Sequence, residues 1–96
     1  MPAESERTTR AFDRRAALML HPDVALRDEA FGALAYHYGN RRLVFLKSRQ
    51  LVDIVRDLDA HESGEDAVRA HVAAGEIDRY CDALGGLVAS EVLRGR

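Results

Sequence analysis

The apolar positions of the chain keep two different periods. Between residues 23 and 47 they alternate with polar or small residues, and between 51 and 88 they return every three or four positions. A period of two puts one face of a strand against a core, and a period near 3.6 does the same for a helix. The first half therefore predicts strands and the second half helices. Val24 and Leu26 alternate with Ala25 and Arg27 in a first strand, which an Asp28/Glu29 turn is expected to end. In Gly32 to Tyr38 the large Leu34, Tyr36 and Tyr38 share one face, and Ala33, Ala35 and His37 the other. Gly39-Asn40 has the composition of a two-residue hairpin turn, because glycine takes positive φ without a Cβ clash. The third strand, Arg41 to Lys47, sets Leu43 and Phe45 against Val44 and Leu46. Both its faces are apolar, and the period alone does not say which one is wet.

Ser48 and Ser63 are placed to cap two helices, each hydroxyl taking up an unpaired first-turn amide. The first helix carries Leu51, Ile54, Val55 and Leu58 on one side, and the second, near 64–73, turns Val68 and Val72 inward. After Gly75, a third lines up Ile77, Tyr80, Cys81, Leu84, Leu87 and Val88. Gly85-Gly86 falls inside this last pattern, and the spacing does not choose between a kink and an end there. The expected fold class is α+β and winged helix-turn-helix-like, with a three-stranded antiparallel sheet followed by three helices. Residues 1–11 read as a flexible tail and 12–20 as a short helical or extended lead-in ended by Pro22. The division expected is thus residues 1–19 as tail and lead-in, and 20–96 as the domain.

Composition narrows what such a fold can do. Ninety-six residues, 47% hydrophobic and 31% charged, suffice for one core and not for a large pocketed enzyme. The lone Cys81 excludes an internal disulfide and any multi-cysteine metal site, and fits a reducing, cytoplasmic setting. No apolar run nears the ~20 residues of a membrane helix. Glu4, Glu6, Arg7 and Arg10 interrupt the start, so a secretory signal is not expected. His21, His37, His61 and His71 lack the spacing of metal ligands, and no nucleophile or phosphate-loop motif occurs. No catalytic residue, cofactor or metal is expected. His21-Pro22-Asp23 matches the tripeptide of J-domain co-chaperones, which lies between two helices; here it runs into a strand and reads as a turn.

The net charge of -2 divides unevenly. Residues 1–47 hold eight Arg/Lys against six Asp/Glu, and residues 48–96 six against ten. The basic patch is Arg41, Arg42, Lys47 and Arg49, with no acid from 41 to 49. Such a shape raises the alternative of a winged-helix DNA-binding regulator. Its recognition helix, within residues 75–93, would carry Glu76, Asp78, Asp82 and Glu91 against Arg79 alone, a charge that repels phosphate. The third strand suits a peptide better. If it lies at a sheet edge, its free amides and carbonyls can pair with an incoming strand, and the basic rim favours an acidic one. Four to six ladder bonds at about 1 kcal/mol each give several kcal/mol, short of the ~8 kcal/mol of micromolar binding. Side chains must also fill an apolar groove, most naturally between the third strand and the third helix. An edge that pairs with its own copy, giving a dimer, is a further alternative.

The run from Leu20 to Ser48 is specific in a second way. Leu20-His21-Pro22, Val24-Ala25-Leu26-Arg27, Phe31-Gly32-Ala33-Leu34, Tyr36-His37, Gly39, Arg41-Arg42-Leu43 and Phe45-Leu46-Lys47-Ser48 resemble, in order and spacing, the PqqD-like family of RiPP recognition elements. Within it they are most similar to the peptide chaperones of mycofactocin biosynthesis. The match covers about a third of the chain; the helical half agrees in pattern only. The resemblance implies a non-catalytic domain that captures a short ribosomal precursor peptide on its third strand and third helix. It would present that peptide to a radical S-adenosylmethionine maturase, which decarboxylates a C-terminal tyrosine and cross-links it to the adjacent valine. Carried onto this chain, Arg42, Leu43, Val44, Phe45 and Leu46 would supply the edge, and Tyr80 and Leu84 part of the groove wall. Arg41, Arg42 and Lys47 would meet acidic peptide residues. Plain core packing is the competing reading of Tyr80, Cys81 and Leu84. A monomer with no nucleic-acid or membrane partner is expected.

Overall fold

Alternating small and large residues let the middle of the chain form a sheet with one face flat enough to take a helix. In the computed structural model, which describes residues 12–96, that sheet comprises β2 (Val24–Glu29), β3 (Gly32–His37) and β4 (Leu43–Leu46) in the order β2-β3-β4, all antiparallel. The tail expected over residues 1–11 lies outside the described residues. The small face is the inner one: Ala33, Ala35 and His37 are buried with Val24 and Leu46. Three helices follow: α1 (Arg49–Arg56), α2 (Gly64–His71) and α3 (Ile77–Ala89). This is the α+β arrangement expected from the periods.

The serine caps form as anticipated. Ser48 Oγ accepts from the Leu51 amide at 3.2 Å and Ser63 Oγ from the Asp66 amide at 3.0 Å. Helix α1 packs across β3 and β4 through Val52, Ile54 and Val55, and α3 closes the core with Leu84 and Leu87. It runs unbroken through Gly85-Gly86. A Cβ at Gly85 would meet the Phe12 ring at 3.0 Å, so glycine here makes room for a side chain from the lead-in.

The lead-in takes the extended alternative over Leu18–Leu20 as β1, which pairs with an unanticipated C-terminal strand, β5 (Leu93–Gly95), and both hairpin turns differ from expectation. Leu18, Val92 and Leu93 are all buried, so burial at both chain ends drives this small second sheet. The first hairpin turns at Ala30-Phe31, because Asp28 and Glu29 remain in β2, opposite Ala33 and Gly32. Asp28 is drawn along the strand by Arg49 and Arg56, at 3.5 and 3.1 Å. The second hairpin closes over residues 38–41 instead of Gly39-Asn40 alone, and its positive φ belongs to Arg41 at 64°. His37 N donates to Arg42 O and Arg41 N to His37 O, the pattern of a bulge that sets two residues against one. His37 Nδ1 accepts from the amides of Gly39 and Asn40, and Asn40 Oδ1 from that of Arg42, so side chains hold this turn.

Candidate peptide-binding edge

Strand β4 has β3 on one side and, among the described residues, no strand on the other. Which of its backbone groups face outward follows from the register. His37 and Arg42 form a hydrogen-bonded pair, and antiparallel pairs alternate, so Val44 and Leu46 bond to Ala35 and Ala33. The amides and carbonyls of Leu43 and Phe45 therefore point to the open side. Their side chains point to the outer face of the sheet, each 57% exposed, whereas Leu46 is fully buried and Val44 half-buried. The face left open by the period is thus settled: Leu43 and Phe45 are wet.

Gly32 fixes how close β4 sits. Its φ is +149°, and a Cβ there would lie 2.0 Å from Leu46 O and 3.0 Å from Ser48 N. No other residue lets β4 approach β3 this closely at its C-terminal end.

The basic residues are shared between the two ends of the strand. Arg41 and Arg42 sit at the hairpin and Lys47 at the far end, about 17 Å away along an extended strand. All three are exposed, and among the described residues none has a carboxylate partner. Arg49 belongs elsewhere: it bonds Asp28 and the Glu29 carbonyl at the other edge of the sheet.

Of the expected groove wall, Tyr80 reaches the strand's end, where its hydroxyl lies 3.3 Å from Ser48 Oγ, and it is 7% exposed. Leu84 sits in the hydrophobic core. It is fully buried over Gly64 beside Leu18, towards α2 and β1. Cys81 is buried next to it, and burial pushes its thiol pKa up, which keeps it an apolar filler.

Sequence reasoning passed over Phe31. It stands half-exposed in the β2–β3 turn, and its ring meets that of Phe45 edge-on at 5.7 Å between centroids. With Phe45 and Lys47 it lines an open hollow of about 350 Å³ on the outer face. A large aromatic in a two-residue turn breaks the alternation, and that break was the available signal.

The remaining polar clusters have structural partners. Asp57 Oδ2 accepts from Nε2 of both His61 (2.9 Å) and His71 (2.8 Å), tying the end of α1 to that of α2. These two hydrogen bonds, His71's first, hold the Asp57 carboxyl below its ordinary pKa. Among the described residues no group of three His, Cys, Asp or Glu could hold a metal ion, and no helix is long and apolar enough to cross a membrane. His21-Pro22-Asp23 is a turn: Val24 N donates to His21 O and Asp23 N to His21 Nδ1. The exposed side of α3 presents Asp78 and Asp82, with Arg79 bonded to Glu76, so it is acidic where a recognition helix must be basic.

Residues 17–94 match the model of the peptide chaperone MftB family. The chain is 45% identical over 83 residues to the peptide chaperone MftB of Mycolicibacterium smegmatis, covering 85% of this chain and 81% of that one. It is 42% identical over 93 residues to the Mycobacterium ulcerans peptide chaperone MftB (96% and 85%) and 40% over 94 residues to that of Mycobacterium tuberculosis (96% and 86%). No solved structure matches. The match begins at residue 17, just before β1, and takes in every strand and helix up to β5, so the chain belongs to the peptide chaperone MftB family.

Proposed function

We propose that this chain captures a short, ribosomally made precursor peptide as a fourth strand on β4 and presents it to a radical S-adenosylmethionine maturase in mycofactocin biosynthesis. The observation that carries the reading is an edge with the open backbone groups of Leu43 and Phe45, an apolar side chain at every position of Leu43–Leu46, and cations at both ends. Four edge bonds contribute about 2–6 kcal/mol, so the rest must come from side chains and from Arg41, Arg42 and Lys47 meeting carboxylates. Leu43 and Phe45 are open to a peptide without rearrangement. A peptide residue that turns to the inner face meets Val44 and the rim of Tyr80. Leu84, fully buried, is closed to a peptide in this conformation. The chain would act as an accessory protein, the iron–sulfur chemistry belonging to the maturase.

Titrating labelled chain with a synthetic acidic precursor ending in Val-Tyr should move the amides of residues 42–47 most. Shifts confined to the β2 edge or the exposed side of α3 would reject strand addition at β4. Purified maturase should turn over the precursor efficiently only when the chain is present; equal turnover without it would reject the presenting role.

A further inference from the structure

The outer face of the sheet carries a feature that strand addition alone does not use. Phe31, Phe45 and Lys47 surround an open hollow of about 350 Å³ whose lining is almost wholly apolar. Phe45 and Lys47 are two positions apart on β4 and so share the outer face, while Phe31 closes the hollow from the β3 side. Exposed aromatic rings beside an open strand edge are costly in water and a hazard for aggregation, unless something covers them.

We propose that this hollow is a side-chain subsite of the edge, selecting peptides that carry a large apolar residue and an acidic residue two positions apart. The inference rests on strand addition at β4 as proposed above. The spacing follows from the pleat. Residues of an added strand that face outward lie directly opposite Leu43, Phe45 and Lys47, and successive ones are two apart in sequence. The residue opposite Phe45 leans over its ring towards Phe31, and the residue opposite Lys47 meets an ammonium that has no carboxylate partner among the described residues. The rim argues against a second copy as occupant. Two such faces would bring Lys47, Arg41 and Arg42 against their own like charges.

Calorimetric titration of the full chain with the synthetic precursor tests this. Phe31→Ala should weaken binding about tenfold, the burial of one aromatic side chain, and Phe31→Leu should restore most of it. Phe31 is outside the ladder and half-exposed, so the unfolding midpoint of both variants should stay at the wild-type value. Among precursors with single large apolar residues changed to alanine, one should bind about tenfold more weakly and then be indifferent to Phe31→Ala. Lys47→Glu should be rescued by changing to lysine the acid two positions from that residue. Equal affinity of wild type and Phe31→Ala, with amide shifts still at 43–47, overturns the subsite and leaves strand addition standing. Shifts elsewhere, or no binding to the wild type, overturn both. A wild-type dimer dispersed by Phe31→Ala assigns the hollow to a second copy and overturns the subsite.

Discussion

The sheet has two edges, and the chain treats them oppositely. On β2 the exposed end is Arg27, Asp28 and Glu29: Arg27 pairs with Glu29 at 2.7 Å, and Asp28 is held by Arg49 and Arg56 from α1. Charges fixed along a strand discourage another strand from pairing there, because each would lose water and its partner. On β4 the sequence is Leu-Val-Phe-Leu, and the nearest charges stand at its ends without carboxylate partners among the described residues. One sheet therefore carries a protected edge and an open one, separated by a single strand. An open apolar edge is a liability that a monomeric domain normally removes; among the described residues this sheet keeps one on β4 alone.

The largest blow to this contrast should come from Gly32→Ala. With φ at +149° and the Leu46 carbonyl in the way, β4 must move off β3, and the open edge moves with it. A loss of about 3 kcal/mol or more is expected in urea unfolding, together with loss of peptide binding. A midpoint close to wild type would show that β4 does not depend on this approach. Next comes Leu43→Pro, which removes an amide that faces the open side and none that bonds β3. It should leave folding nearly intact and weaken peptide binding tenfold or more. Asp28→Asn at the other edge should leave affinity unchanged, and a comparable loss there would erase the distinction between the edges.

The two edges also differ in how far the sequence could be read. The strand order, the faces of β3 and the two serine caps follow from local spacing and side-chain chemistry, which is why they were legible. The wet face of β4 was not, because Leu43/Phe45 and Val44/Leu46 are equally apolar; only the burial of Leu46 in the core chooses. β5 was missed for a related reason. Its three residues, Leu93, Arg94 and Gly95, have no period of their own and become a strand only against Leu18–Leu20, some seventy residues away in sequence. Contacts between residues far apart in sequence likewise bury Leu84 beside Leu18 and Gly64 and pair Arg49 with Asp28 on β2. Phe31 is the instructive omission: it sits in a turn, and hydrophobic periodicity is silent about turns.

Charge should sharpen the contrast at smaller amplitude. Reversing Arg41 and Arg42 together to glutamate should weaken peptide binding severalfold at low ionic strength, the loss shrinking as salt rises, since these side chains are exposed. Reversing Arg27 on β2 should do nothing to affinity. Unchanged affinity in the Arg41/Arg42 variant would make those arginines plain solvated surface and leave the strand's selectivity to its apolar groups.

The smallest effect expected is a titration seen at one edge only. The hydrogen bond from Arg56, then its charge, and that of Arg49, lower the Asp28 pKa below the ordinary carboxylate value. A lowered folded pKa means that the pairing stabilises the fold above the ordinary value and that this contribution is lost as pH falls through the lowered one. As pH falls, the amide of Asp28 and the side chains of Arg49 and Arg56 should therefore shift with a midpoint below the ordinary carboxylate value. Strand β4 holds no acid, since none occurs from residue 41 to 49, so its amides should stay flat until the fold itself gives way. The Asp57 carboxyl, also lowered, reports in the same range but at the α1–α2 junction, and its signals separate from those of β2 by assignment. If β4 titrated in step with Asp28, the two edges would be electrostatically coupled across β3, and the protection of one could not be independent of the openness of the other.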